Sequence, residues 1–324
     1  MTMKIKATTT AIQARAQVFL PIPVKKTANS PTSWIVENKW ATIHVKGVLL
    51  TQVHRGILDV IFDNYKSNKV FSDGSETYCF TMYDLQTRLG RKSTSNHTWM
   101  YERLLEMQTV MFDIRTKPTA SGHQRVIEHP VFSIFNSVTK IYDKEKFAKM
   151  TPEEQEKAVP IFYEVEFNKK YLRFIETDTY IAYPTLTPKL LSIKCNEAQA
   201  LARLCLSHKV INYQNLETLM NEIGINEKMM LKSAISRSKG RIIAAKDELE
   251  EKLGIKIIVG EKKTDPVKVV YHRDKTLVKF HNDDEEGIRG FKEYNEEIAK
   301  EKENNRLMAN LDDYMGDLFD DGEL

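Results

Sequence analysis

The side chains best suited to chemistry in this sequence are cations set among small polar residues. Ser236-Arg237-Ser238-Lys239-Gly240-Arg241 is the densest such set. At about 100° per residue, Leu231, Ile235, Ile242, Ala245, Leu249 and Leu253 fall within about 40° of one line and predict the buried stripe of a long helix starting at Asn226 and ending at Gly254. The opposite face then carries Ser233, Ser236, Arg237, Gly240 and Ala244, with Lys232 and Lys239 on one shoulder and Arg241 on the other. Small side chains let a helix approach a DNA major groove closely, and Arg or Lys at its edges reaches guanine or phosphate. An amphipathic helix with a merely basic solvent face gives the same pattern. Gly240 tips the balance toward function, because glycine in mid-helix costs about 1 kcal/mol relative to alanine.

A second group, Arg91, Lys92, Ser93, Ser95 and Asn96, precedes another helical pattern, where free amides and the helix dipole suit a phosphate. Glu102, Glu106 and Trp99 on that helix's exposed face repel or merely pack, so this unit is expected to position the DNA backbone while the later helix reads bases. Two turn segments add Arg115, Lys117, His123 and Arg125, then Lys262, Lys263 and Lys268. Such lysines are also ordinary solvated surface.

Catalytic patterns are missing. Neither Gly90-Arg91-Lys92-Ser93 nor Gly260-Glu261-Lys262-Lys263-Thr264 has both glycines of a phosphate-binding loop. His44, His54, His97, His123 and His129 are scattered, and Cys79, Cys195 and Cys205 form no zinc-type cluster. Tyr171, Tyr180 and Tyr183 lack a nearby histidine cluster and read as aromatic packing rather than strand-transfer nucleophiles. No enzyme, cofactor or metal is expected.

Charge agrees with a polyanion partner. The net charge of +3 over 324 residues hides an asymmetry: from His281 to Leu324 there are 15 acidic against 5 basic residues, leaving residues 1–280 at +13. A basic body gains affinity for DNA by releasing condensed counterions. No apolar run approaches a membrane span or a signal peptide, so a cytoplasmic protein without membrane contact is expected.

The elements that must hold these residues suggest an α+β chain with two tandem winged-helix domains. Residues 1–33, with Pro21, Pro23 and Pro31, read as a flexible lead-in contributing little core. Domain one, 34–155, has a strand over Ala41–Leu50, a helix over Gln52–Tyr65, a strand at Cys79-Phe80-Thr81, a helix ending at Gly90, and a helix with Met100, Tyr101, Leu104 and Met111 on one face. Strands Val110–Arg115 and Arg125–Ile141, joined by a turn around Pro118 and Gly122, supply its wing. Thr151-Pro152-Glu153-Glu154 reads as a capped helical turn. Domain two, 156–280, repeats the outline: a strand at Ile161–Phe167, helices at Ala198–Ser207 and Leu216–Ile223, the long helix, and a second wing between Ile255–Val259 and Val267–Tyr271. Residues 281–324 form an acidic tail expected to be mostly disordered.

Phe80-Thr81-Met82-Tyr83-Asp84-Leu85-Gln86-Thr87-Arg88-Leu89-Gly90 and Tyr101-Glu102-Arg103-Leu104-Leu105-Glu106 resemble the strand-helix-turn entry and following helix of TrfA-type plasmid replication initiators. Phe162–Phe167 is similar to the strand that opens that family's distal winged helix, and Leu201–Leu206 to its first helix. The resemblance spans about Val48–Val259. It implies recognition of repeated double-stranded DNA at a replication origin, origin opening, and recruitment of host DnaA, the replicative helicase and the sliding clamp. Self-association is a further possibility. In the tail, Asp317, Leu318 and Phe319 match the end of the family's clamp-binding pentapeptide, whereas Met315 and Gly316 depart from its start; packing back on the body is the competing account. A winged-helix transcriptional repressor is the alternative function, although tandem units in one chain favour an initiator, since repressors usually gain a second reading head by dimerising.

Overall fold

The computed structural model describes residues 8–15, 18–22, 33–37, 41–63, 68–70, 76–90, 97–117, 128–177, 180–227, 230–262 and 264–281. The described residues up to Phe280 belong to one compact unit. The chain runs β1 (Thr8–Thr10), α1 (Ala11–Arg15), β2 (Ser33–Glu37), β3 (Ala41–Lys46), α2 (Gln52–Asp63), β4 (Asn68–Val70), β5 (Glu76–Phe80), α3 (Met82–Arg88) and α4 (His97–Thr109). It continues with β6 (Met111–Thr116), β7 (Glu128–Phe132), β8 (Phe135–Ile141), α5 (Lys144–Ala148), α6 (Pro152–Lys157), β9 (Phe162–Phe167) and α7 (Lys169–Thr177). Then follow β10 (Tyr180–Ala182), α8 (Thr187–Leu191), α9 (Asn196–Leu206), β11 (Val210–Asn215), α10 (Leu216–Glu222), α11 (Lys232–Ala244), α12 (Lys246–Leu253), β12 (Lys256–Ile258), β13 (Lys268–His272) and β14 (Lys279–His281). The mixture of helices and antiparallel sheets is α+β, as the sequence predicts.

Local chemistry explains the boundaries that the sequence revealed. Thr81 caps α3 by accepting from the Asp84 amide, and Gly90 closes it at φ +69°, a conformation that suits glycine. Thr151 and Glu154 form a full capping box at α6, with Pro152 in its first turn. Gly254 stops α12 at φ +68°.

The order of strands repeats. In one sheet β9 lies between β5 and β8, with β4 outside β5; in another, β13 lies between β11 and β12. Each set is fed by the same sequence of elements: α2, β5, α3, α4, β8, β9, and then α9, β11, α10, α11 with α12, β12, β13. A four-stranded sheet, β2-β3-β6-β7, is inserted into the first set, and β1-β10-β14 forms a small fourth sheet.

Several expectations are corrected. The strand Phe162–Phe167 does not open the second half: β9 pairs with β5 and β8, and Tyr163, Val165, Phe167, Tyr171 and Phe174 pack in the first core, with Phe167 stacked on Phe62 at 4.9 Å. The second core begins at Ile181, so the change of core falls after α7 rather than at 155/156. The lead-in is not free of core: β1 pairs with β10, and Val18 and Phe19 are buried. Met111 belongs to β6, not to the helical face of Met100 and Leu104. The long helix from Asn226 is two helices that begin at Lys232 and break at Ala245, where φ is −90° and ψ 8°.

The halves meet at α2 and α9. Asp59 of α2 takes Arg55 of its own helix at 2.6 Å and Arg203 of α9 at 2.6 Å, all three inaccessible. Arg203 Nε also donates to Gln52 Oε1 (2.9 Å), and Arg15 of α1 donates to Ser207 at the end of α9.

Candidate nucleic-acid interface

The amphipathic pattern of α11 is realised in full on its polar side. Lys232, Ser233, Ser236, Arg237, Gly240, Arg241 and Ala244 are exposed, while Ile242 and, beyond the break, Ala245, Leu249 and Leu253 are buried. Two expectations fail at the margins. Leu231, placed on the buried stripe, precedes the helix and is 78% exposed. Ser238 is buried and donates to Glu197 Oε1 at 3.4 Å, so it is packing rather than surface.

The cations of α11 differ in their freedom. Arg241 reaches the buried Glu197 of α9 at 3.0 Å, and Lys239 reaches Glu217 of α10 at 2.7 Å. Lys232 makes a long 3.5 Å contact with Glu227 at the surface, a pairing of little worth. Arg237 meets a carbonyl of its own helix, Ser233 O at 3.3 Å, and no carboxylate among the described residues. Its guanidinium therefore keeps most of its five donors for an outside acceptor.

The hairpin between β12 and β13 lies against the start of α10, where the Leu216 amide donates to Val267 O (2.9 Å) and Asn215 faces Lys268 across the strands. Its turn is tight: Asp265 accepts from the Lys262 amide, and a Cβ at Gly260 would stand 2.3 Å from the Asp265 side chain. Lys262 is exposed there. Lys239 and Glu217 join α11 to the same corner, so the hairpin, the start of α10 and the polar face of α11 are neighbours.

In the first half the expected wing is displaced. β6 and β7 do form a hairpin, but β6 pairs on its other side with β3, along Ala41–Lys46. Arg115 and Lys117 sit on that separate sheet, ion-paired with Glu128 at 2.5 Å and Glu37 at 2.7 Å. The connection that occupies the position of the β12–β13 hairpin is 142–161, between β8 and β9. It carries exposed Lys144, Lys146 and Lys149, which sequence reasoning did not select. The capping box at Thr151 was the available signal that this stretch is built rather than linking.

On α4, Glu106 accepts from Arg103 at 3.0 Å and meets His54 Nε2 at 2.7 Å, while Arg103 lies over the Trp99 ring at 5.3 Å. Trp99 and Glu106 are thus structural. Arg91, Lys92, Ser93, Ser95, Asn96, His123, Arg125, Lys263, Asp317, Leu318 and Phe319 lie outside the described residues. Among the described residues no group of three or more His, Cys, Asp or Glu could hold a metal, and no helix is long and apolar enough to cross a membrane.

No family model matches the chain, and no curated protein matches it. Among solved structures, domains 2 and 3 of RctB superpose with a TM-score of 0.50 at 11% identity, covering 82% of this chain and 97% of that one. A second structure of RctB domains 2–3 gives a TM-score of 0.48 at 13% identity over the same shares. The likeness is one of fold, and it runs through both repeated sets of elements.

Proposed function

We propose that this chain is a replication initiator of the plasmid type, similar to the TrfA family in plan, that binds repeated double-stranded DNA at an origin through two winged helices. The observation that carries this reading is the exposed small-residue face of α11 with Arg237 free beside it, next to a basic hairpin, in a strand order that occurs twice. Helix, strand, helix, helix, strand, strand, with the last strand central, is the plan of a winged helix; α11 and α4 are then the helices offered to the groove. The fold shared with domains 2 and 3 of RctB, a replication initiator, supports the same reading. The chain acts by binding, without a catalytic site, metal or cofactor of its own. Opening of the duplex and recruitment of DnaA, helicase and, through Leu318 and Phe319, the sliding clamp complete the proposal.

Arg237 is assigned to base reading. Arg237→Ala should cost about 1–3 kcal/mol on the preferred duplex and relax the preference at one base position. Selection of duplexes from a random pool, followed by titration of the winners against wild type and variant, tests this. The expected winners contain direct repeats. Retained selectivity in Arg237→Ala refutes the assignment, and failure of any duplex to be enriched refutes the function.

A further inference from the structure

Tyr213, in β11, is the one non-glycine residue among the described residues whose φ is positive, at +46°. A side chain in that left-handed region crowds the following carbonyl, so the conformation persists only where the surrounding structure enforces it. The strand register shows the enforcement. Ile211 faces Tyr271 and Gln214 faces Val269, so Asn212 and Tyr213 together stand opposite Val270 alone, which is a β-bulge. Backbone needs alone would put glycine at such a position, as they do at Gly90, Gly224 and Gly254, all with positive φ.

Packing does not account for the tyrosine either. Its side chain is 62% exposed, belongs to neither apolar core, and makes no hydrogen bond or ring contact among the described residues. The position in the fold names what could cover it. Tyr213 lies at the end of its sheet from which the β12–β13 hairpin turns. Two residues on, Asn215 faces Lys268 at the foot of that hairpin and caps α10; four residues on, Glu217 receives Lys239 of α11 at 2.7 Å. The ring is thus a neutral group at the corner that Lys239 and Lys268 share, at the edge of the face of α11 assigned to the groove.

We propose that Tyr213 contacts the backbone of bound duplex DNA: its hydroxyl donates to a phosphate oxygen and its ring covers the adjoining deoxyribose. The bulge presents the side chain for that contact. This rests on the DNA reading above and adds to it a backbone contact that carries no charge.

Tyr213→Gly and Tyr213→Phe in the full chain test it, by thermal melting and by titration with the selected duplex and an unrelated one over a range of salt. Tyr213→Gly should melt about 2–4 °C higher, because glycine takes the left-handed backbone without crowding. It should nevertheless bind both duplexes about 10-fold more weakly. Tyr213→Phe, which lacks only the hydroxyl, should bind both about 3-fold more weakly with Tm unchanged. Neither should alter the log–log salt slope, since a neutral contact releases no counterion. Wild-type affinity in Tyr213→Gly overturns the proposal. So does a lower Tm in that variant, which would make the ring part of the packing, and so does a loss confined to the selected duplex, which would make it a base reader. If the wild type binds no duplex, the DNA reading falls and this role with it; if the wild type binds and the variants bind equally well, the role alone falls.

Discussion

Gly240 concentrates the residue-scale argument. Nothing stands within 4 Å of where its Cβ would be, so Gly240→Ala meets no clash and should stabilise the fold by about 1 kcal/mol through helix propensity. A methyl group on a face seated in a DNA groove should weaken duplex binding at the same time. Thermal melts and duplex titrations moving in opposite directions support that seating; unchanged affinity removes it. His129 supplies a pH dependence. Burial pushes its pKa down to about 4 from the ordinary 6.5, with its ring edge-on to Phe174 at 4.9 Å. The unfolded chain then binds the extra proton between those values, so this contribution is complete above about pH 6.5 and is lost as pH falls toward 4. Roughly 2 kcal/mol should be gone by pH 5. Denaturant unfolding at pH 7 and 5 measures it, and His129→Leu should shrink the difference; an equal pH effect in the variant would locate the titration elsewhere. The exposed set on α11 was legible in sequence because a helix repeats every few residues. The restraint on Lys239 and Arg241 was not, since their carboxylates lie 22 and 44 positions away.

At the scale of elements, periodicity revealed which segments pair but not with whom. β6 and β7 have the alternation and turn residues of a hairpin, and they form one. What the pattern could not reveal is that β3 lies on the far side of β6 and draws the pair into a sheet of its own. Likewise β9 reads as an opening strand because it follows a polar stretch, yet its partners β5 and β8 precede that stretch in the chain. The second set was read more accurately since nothing interrupts it between α9 and β13. A binding consequence separates the two candidate wings. Lys144→Ala/Lys146→Ala/Lys149→Ala, on the β8–β9 connection, should lower the salt dependence of duplex binding by up to about 1 in log–log slope per lysine that contacts a phosphate. Arg115→Ala/Lys117→Ala should leave it unchanged. The reverse ranking would return the wing to β6–β7.

Within residues 1–280, the two halves are joined by a buried charge cluster. Tandem units suggest beads on a string, and charge counting along the chain cannot locate a carboxylate that two distant arginines share. Asp59 is fully buried between Arg55 and Arg203, one from each half. Removing its charge takes from both guanidinium groups the carboxylate they share. Breaking a buried pair in this way typically costs about 3–5 kcal/mol. The loss should fall on the junction, because each half keeps its own apolar core. All three tryptophans, Trp34, Trp40 and Trp99, belong to the first half, so their fluorescence follows that half while far-UV circular dichroism follows both. In wild type the two signals should change together in urea, as one cooperative unit. In Asp59→Asn the transition should move to lower urea and the two signals should part. Coincident curves at an unshifted midpoint would mean that the halves are joined by something other than this triad.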